Sequence, residues 1–489
     1  MRHTIYLSLV ICVLLSLVFV ASAGAAPARA DRGPWAPNTA YAVNDTVTYG
    51  GCTYKVIQAH TSQTGWEPPV VPALFQQLSC GSVPTSTATR TPTSGASNTP
   101  AGPTSTRTRT NTPGPATNTP TRTPTRTNTP VGPTATRTRT PTITPTSGST
   151  GGTLPKHALI GYWHNFDNGS GFIPLRNVST KWDLIIVSFG EPTNGATNGT
   201  IGFTPYPTYY TSASMFTSDV AYLHSIGKKV IISIGGANGL VQLTTTGARD
   251  NFVNSVNSII STYGLDGLDV DFENQSLILN AGDTDPTAPT TPVIVNTISA
   301  VRSVQSHFGA NFILTMAPET FFVQLGYSFY GGTCSGCDRR AGAFLPVIYG
   351  TRDILTVLQV QDYNSGSITG LDNAYHSMGG ADFHIAMLDM LLAGFPVAGT
   401  GKTFPALRAD QVALGIPATG SAGNGYVAPA TVQQALDYII KGIPTGSYVK
   451  HSANATNFRG MMTWSINWDA YGNVFEFSNF YRTYMNSLP

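Results

Sequence analysis

A chain of 489 residues has room for two or three domains and at least one large apolar core. Only 11% of its residues are charged, under half the usual quarter, and the formal net charge is +2. Seven arginines (Arg90, Arg107, Arg109, Arg122, Arg126, Arg137 and Arg139) fall in a segment without a single acid; taking them from the 27 basic residues leaves 20 against 25 acidic, which argues against a nucleic-acid partner.

Met1-Arg2-His3 leads into an apolar run, Ile5–Val20, followed by the small residues Ala21-Ser22-Ala23-Gly24-Ala25. These are the three parts of a secretory signal, so residues 1–25 are expected to be removed and the mature protein to be extracellular. The run is short for a spanning helix, and no membrane association is expected after cleavage. Of five cysteines, Cys12 departs with the signal. The other four, an even number in an oxidising destination, are expected to pair as Cys52 with Cys80 and Cys334 with Cys337. The rival for Cys334-Ser335-Gly336-Cys337 is a redox or zinc motif, which lacks a second CxxC.

Residues 31–80 hold six spaced aromatics, Trp35, Tyr41, Tyr49, Tyr54, Trp66 and Phe75. Thr46-Val47-Thr48-Tyr49 and Thr53-Tyr54-Lys55-Val56, split by Gly50-Gly51, predict a hairpin. About 50 residues make a marginal core, which a disulfide would reinforce. Trp35-Ala36, Tyr41, Asp45, Val47, Gly51, Tyr54, His60-Thr61, Gly65-Trp66-Glu67-Pro68 and Ala73-Leu74-Phe75 together resemble a family 5/12 chitin-binding module. The resemblance implies a small β-rich carbohydrate-binding domain, with Trp66 and Phe75 as surface stacking rings. The family usually has Trp where this chain has Phe75.

Residues 81–153 are almost entirely Thr, Pro, Ser, Gly, Asn and Arg. Too few apolar groups are present to offset the ordering entropy of a core, which predicts a disordered linker. Its reach lies between roughly 45 Å as a flexible coil and roughly 230 Å as extended polyproline II.

Residues 154–489 alternate short apolar runs with longer helical stretches. The runs are His157–Trp163, Asp183–Phe189, Lys229–Ile234, Leu265–Phe272, Phe312–Ala317, Val357–Tyr363, Val412–Pro417 and Gly460–Ser465. Near-continuous apolar strands interleaved with helices predict a parallel sheet with a covered outer face. Eight of them fit an α/β (β/α)8 barrel, in which chemistry sits where strands end.

The fourth run reads Asp266-Gly267-Leu268-Asp269-Val270-Asp271-Phe272-Glu273. Strand alternation puts Asp269, Asp271 and Glu273 on one face, about 6–7 Å apart, with Leu268, Val270 and Phe272 toward the helices. Such a stack repels itself unless protons or hydrogen bonds relieve it. Asp266 has the opposite parity and is expected to be structural. A calcium loop would curve its ligands around an ion instead of spacing them at a β period.

This run resembles the DxxDxDxE signature of the family 18 glycoside hydrolases, the chitinase family. Ser233-Ile234-Gly235-Gly236, Met316-Ala317-Pro318-Glu319 and Gln361-Asp362-Tyr363-Asn364 close the third, fifth and sixth runs in that family's order. The resemblance implies a retaining hydrolase that needs no metal or cofactor and acts on chitin or chitooligosaccharides as a monomer. Glu273 would be the acid, while Asp271 would orient the substrate acetamide and Asp269 would share a proton beneath it. The Tyr363 hydroxyl would bond the acetamide oxygen, Trp464 would floor the sugar, and Gln361 and Asn364 would add polar contacts. Tyr162, Phe189 and Met316 would enclose the acetamide methyl, and Gly235 and Gly236 would let backbone approach the sugar. An endo-β-N-acetylglucosaminidase acting on N-glycans shares the acidic ladder and stands as the alternative. A non-catalytic lectin is disfavoured because Glu273 is present.

Overall fold

Each apolar run after residue 153 becomes a strand directed into one ring. The computed structural model describes residues 31–37, 39–56, 60–62, 67–68, 74–80, 154–333, 336 and 338–489. The expected signal (1–25), the linker (81–153), Trp66, Cys334 and Cys337 lie outside them.

The small module has six strands: β1 (Asp31–Pro34), β2 (Ala40–Tyr41), β3 (Thr46–Tyr49), β4 (Cys52–Val56), β5 (His60–Thr61) and β6 (Phe75–Cys80). β1, β3, β4 and β6 form one sheet in that order, and β2 pairs with β5. Gly50 and Gly51, both left-handed at φ 58° and 80°, make the tight turn between β3 and β4. Cys52 and Cys80 are register partners of antiparallel β4 and β6. Tyr41, Val47, Tyr54, Val56, Leu74 and Phe75 form the core, with Trp35 half-buried against it. Phe75 therefore departs from its expected surface position. It is 2% exposed, pairs in register with Val56 and meets the Tyr41 ring edge-on at 6.3 Å. With so few apolar side chains to fill the interior, its bulk is drawn inward.

The larger domain is a parallel barrel of β7 (Ala158–His164), β8 (Leu184–Pro192), β9 (Lys229–Gly235), β10 (Gly267–Asp271), β11 (Ile313–Met316), β12 (Val357–Leu358), β13 (Ala413–Pro417) and β14 (Gly460–Trp464). The sheet runs β12-β11-β10-β9-β8-β7-β14-β13, and bridges Leu358↔Val412 and Gln361↔Gly415 close the ring. The sixth strand is shorter than its apolar run. Beyond Leu358 the chain leaves the ladder, and the Gln361 and Asp362 N–H groups bond Pro318 O and Gly415 O, each at 2.9 Å. A 3-10 turn (Leu175–Asn177) follows β7. The helices are α1 (Ala213–Ser225), α2 (Thr246–Tyr263), α3 (Pro292–Phe308), α4 (Leu345–Thr351), α5 (Ala381–Ala393), α6 (Pro429–Lys441), α7 (Ile466–Ala470) and α8 (Glu476–Ser487).

Alternation along the strands divides the apolar residues between two cores. Ile160, Ile186, Ile231, Ile313, Val357 and Met462 fill the barrel interior. Leu159, Ile185, Ile232, Leu268, Val270 and Leu314 face outward and pack with the helices. Among the described residues no helix is long and apolar enough to cross a membrane.

Candidate active site

β10 delivers the acids. Leu268 and Val270 turn outward into the sheet–helix core, which leaves Asp269 and Asp271 directed into the ring. The strand ends at Asp271, and Glu273 stands at the rim. Asp266, below the strand, accepts from His224 Nε2 (2.7 Å), Lys229 Nζ (2.8 Å) and Val230 N (2.8 Å), a structural clasp at the strand entrance.

Asp269 has no solvent exposure but four donors. The Tyr162 and Ser233 hydroxyls reach Oδ2, each at 2.7 Å, while Thr315 Oγ1 (2.5 Å) and Gln359 Nε2 (3.2 Å) reach Oδ1. Burial pushes its pKa up and these hydrogen bonds pull it back. Asp271 accepts one hydrogen bond, from Gln361 Nε2 at 3.0 Å. Burial, then the charges of Glu273, Asp269 and Glu319, raise it well above the carboxylate range. Glu273 is raised by burial and also accepts from Gln361 Nε2 at 3.0 Å. The two N–H groups of one carboxamide nitrogen are thus shared among the upper two acids and Ala317 O, which lies 2.9 Å away.

Aromatic rings wall the cleft. Trp464, half-buried at the end of β14, stacks on Phe189 (5.7 Å between centroids, 17°) and leans on Tyr162 at 5.7 Å. His164 lies on Trp464 at 4.6 Å and on Phe166 at 4.7 Å; burial pushes its pKa down to about 3, so the ring is neutral. The glycines after β9 permit close packing. A Cβ on Gly235 would lie 2.1 Å from Asp271 O, and one on Gly236 would lie 2.7 Å from the Phe189 ring. The Tyr363 hydroxyl has no hydrogen-bond partner among the described residues, and its residue lines the cleft. The cleft holds about 860 Å3, within the range of ligand sites.

Tyr162, Phe189, Gly235, Asp271, Glu273, Gln361, Tyr363, Asn364 and Trp464 come together around that space, with Asp269 and Gly236 directly behind it. Met316 does not join them. It pairs in register with Val270 on β10, has the outward parity and is buried between sheet and helices. Its neighbour Thr315, opposite Asp269, occupies the inward place. Asn364, at φ 50°, is clamped to the loop after β13: its Oδ1 accepts from Asn424 N at 2.8 Å and its N–H donates to Asn424 O at 3.0 Å. Thr315, Gln359 and His164 escape the sequence reading, and Glu319, which closes the fifth run's motif, is given no role by it. For Thr315 and Gln359 the available signal was alternation on their own strands, which sends polar side chains inward beside Asp269.

The comparisons with known proteins agree with this geometry. Residues 34–76 match the model of carbohydrate-binding module family 5/12, and residues 158–331 match that of glycosyl hydrolases family 18. A protein named Chitinase Chi52, from Paenibacillus xylanexedens, is 46% identical over 94% of this chain and 93% of its own length. Exochitinase 1 of Streptomyces olivaceoviridis is 57% identical over 67% of this chain and 56% of its own. The crystal structure of a family GH18 chitinase from Chromobacterium violaceum superposes with a TM-score of 0.63 at 33% identity, covering 93% of this chain and all of that one. With its inward acidic ladder, its closed parallel barrel and a relative matched nearly end to end, the chain belongs to the family 18 glycosyl hydrolases and carries a family 5/12 carbohydrate-binding module.

Proposed function

We propose that this enzyme is an exported chitinase that hydrolyses β-1,4-linked N-acetylglucosamine polymers with retention, the substrate's own acetamide acting as nucleophile. The observation that carries the reading is the Gln361 carboxamide holding Asp271 and Glu273 side by side above a fully hydrogen-bonded Asp269.

Glu273, whose pKa burial raises, gives its proton to the glycosidic oxygen as the C1–O bond breaks. The acetamide oxygen attacks C1 and forms an oxazolinium ring, an exception to the two-carboxylate scheme. Asp271 orients the acetamide N–H and takes up the positive charge, exchanging a proton with Asp269 as it does so. The Tyr363 hydroxyl donates to the acetamide oxygen, and Trp464 supports the ring. The Glu273 carboxylate then deprotonates water, which opens the oxazolinium from the face the leaving group left.

Glu273→Gln is expected to lower kcat on chitohexaose by about a thousandfold or more, since a lost proton transfer and its electrostatics act together. NMR of early products from the unmodified enzyme should show the β anomer. Initial α product would exclude acetamide participation, and release of sugar only from high-mannose glycopeptide would move the enzyme to the N-glycan alternative.

A further inference from the structure

Glu319 belongs to no part of the acidic ladder, and the mechanism above gives it no task. It follows Pro318 just beyond β11, where a parallel bridge pairs it with Gln361, the residue that holds Asp271 and Glu273. It lines the cleft with Glu273, on the opposite side of the ring from Trp464 and Phe189. Its carboxyl makes no hydrogen bond or ion pair among the described residues. The cation that acts on it, Arg340, is engaged by Asp338 through Nε at 2.9 Å and lies over the Phe321 ring at 5.4 Å.

The charged and titratable groups facing Glu319 are Glu273 and Asp271 from β10 and its end, Tyr363 from the β12 segment, and Arg340 from the segment before α4. Burial first and Glu273 second push its pKa up to about 8, against the weaker pull of Arg340. A neutral carboxylic acid offers an O–H donor that a carboxylate does not. A half-buried acid with no hydrogen-bond partner among the described residues, opening on a cleft for a polyhydroxylated chain, has a ligand as its natural partner.

We propose that Glu319 is a substrate-binding residue whose protonated carboxyl donates a hydrogen bond to an oxygen of the N-acetylglucosamine unit that departs when Glu273 protonates the scissile bond. This assignment rests on Glu273 being the acid. Glu319 lines the cleft on the same side as Glu273 and across the ring from Trp464, which puts it within reach of a unit joined through the oxygen that Glu273 protonates. Ionisation removes the donor, so this hydrogen bond is present below about pH 8 and is lost as pH rises through it.

The test measures kcat and KM on chitohexaose for the unmodified enzyme, Glu319→Gln and Glu319→Leu between about pH 6 and pH 9.5. Loss of a hydrogen bond that leaves a substrate group unpaired predicts about a tenfold higher KM for Glu319→Leu at the acid end, with Glu319→Gln recovering most of it. The unmodified enzyme's KM should climb above about pH 8, while that of Glu319→Gln stays flat, its amide having no proton to lose. An equal alkaline rise in KM for Glu319→Gln would overturn the proposal. So would a Glu319→Leu enzyme whose kcat falls while its KM holds. If Glu319→Leu does not fold, the Glu319→Gln profile alone decides. Failure of the underlying mechanism would show elsewhere, as turnover retained by Glu273→Gln.

Discussion

Asp271 takes a single hydrogen bond where Asp269, two residues earlier, takes four. Its raised pKa means that the folded protein binds a proton the unfolded chain has already released. Stability therefore falls as pH climbs from the ordinary carboxylate range toward the folded value. Asp271→Asn keeps an acceptor for Gln361 and has no charge to bury. It should raise Tm at pH 8 by roughly several degrees and change it little at pH 4, while kcat collapses. Calorimetry at the two pH values checks this; an equal Tm gain at both would locate the effect in packing. The inward face of these acids was legible because apolar residues fill every other position of their strand. The same alternation on β11 sends Thr315 in and Met316 out, contrary to the placement that family resemblance implied for Met316. Glu319 was not legible in this way: its setting is made by β10 and the β12 segment, which no local pattern reports.

Loops at the strand ends convert that static arrangement into a cleft, and the one after β13 is fastened to the segment that follows β12. Asn364 exchanges two hydrogen bonds with Asn424, and Gly423 sits close enough that a Cβ there would lie 3.3 Å from the Tyr363 ring. Asn364→Gly suits the φ of 50° and removes only the side-chain half of this clamp. Amide exchange across residues 418–426 should then quicken, and KM on chitohexaose should rise by about threefold to tenfold as the loop loses its preferred position. Unchanged exchange would show that the backbone bond alone holds the loop. All eight strands were foreseeable from their apolar runs, since a parallel sheet covered by helices needs little else. The early end of β12 was not, because it depends on Gln361 and Asp362 finding backbone partners on the neighbouring segments. The loop after β13 carries no periodic signal, and its role appears only through Asn364.

At the scale of the whole chain, the barrel draws its apolar clusters from residues 154–488 and the module draws its own from residues 35–75. A domain with a complete core of its own folds and works without a tethered neighbour. Deleting residues 31–80 should therefore leave kcat and KM on soluble chitohexaose within about twofold. The rate on insoluble chitin should fall by roughly tenfold or more, because a tethered binder raises the local concentration of enzyme at the surface. Point variants separate binding from folding within the module. Phe75→Leu keeps most of the apolar volume in the core and should retain adsorption, whereas Phe75→Ala should cost about 3–5 kcal/mol and lose adsorption by unfolding the module, visible as protease sensitivity. Trp66→Ala should lose adsorption with the module still protease-resistant, as expected of a ring that stacks on sugar. If Phe75→Leu instead fails to adsorb while remaining folded, Phe75 makes a sugar contact after all. An equal rate loss on soluble and insoluble substrate after the deletion would show that the barrel depends on the module for its own activity, and the tethering account would fall.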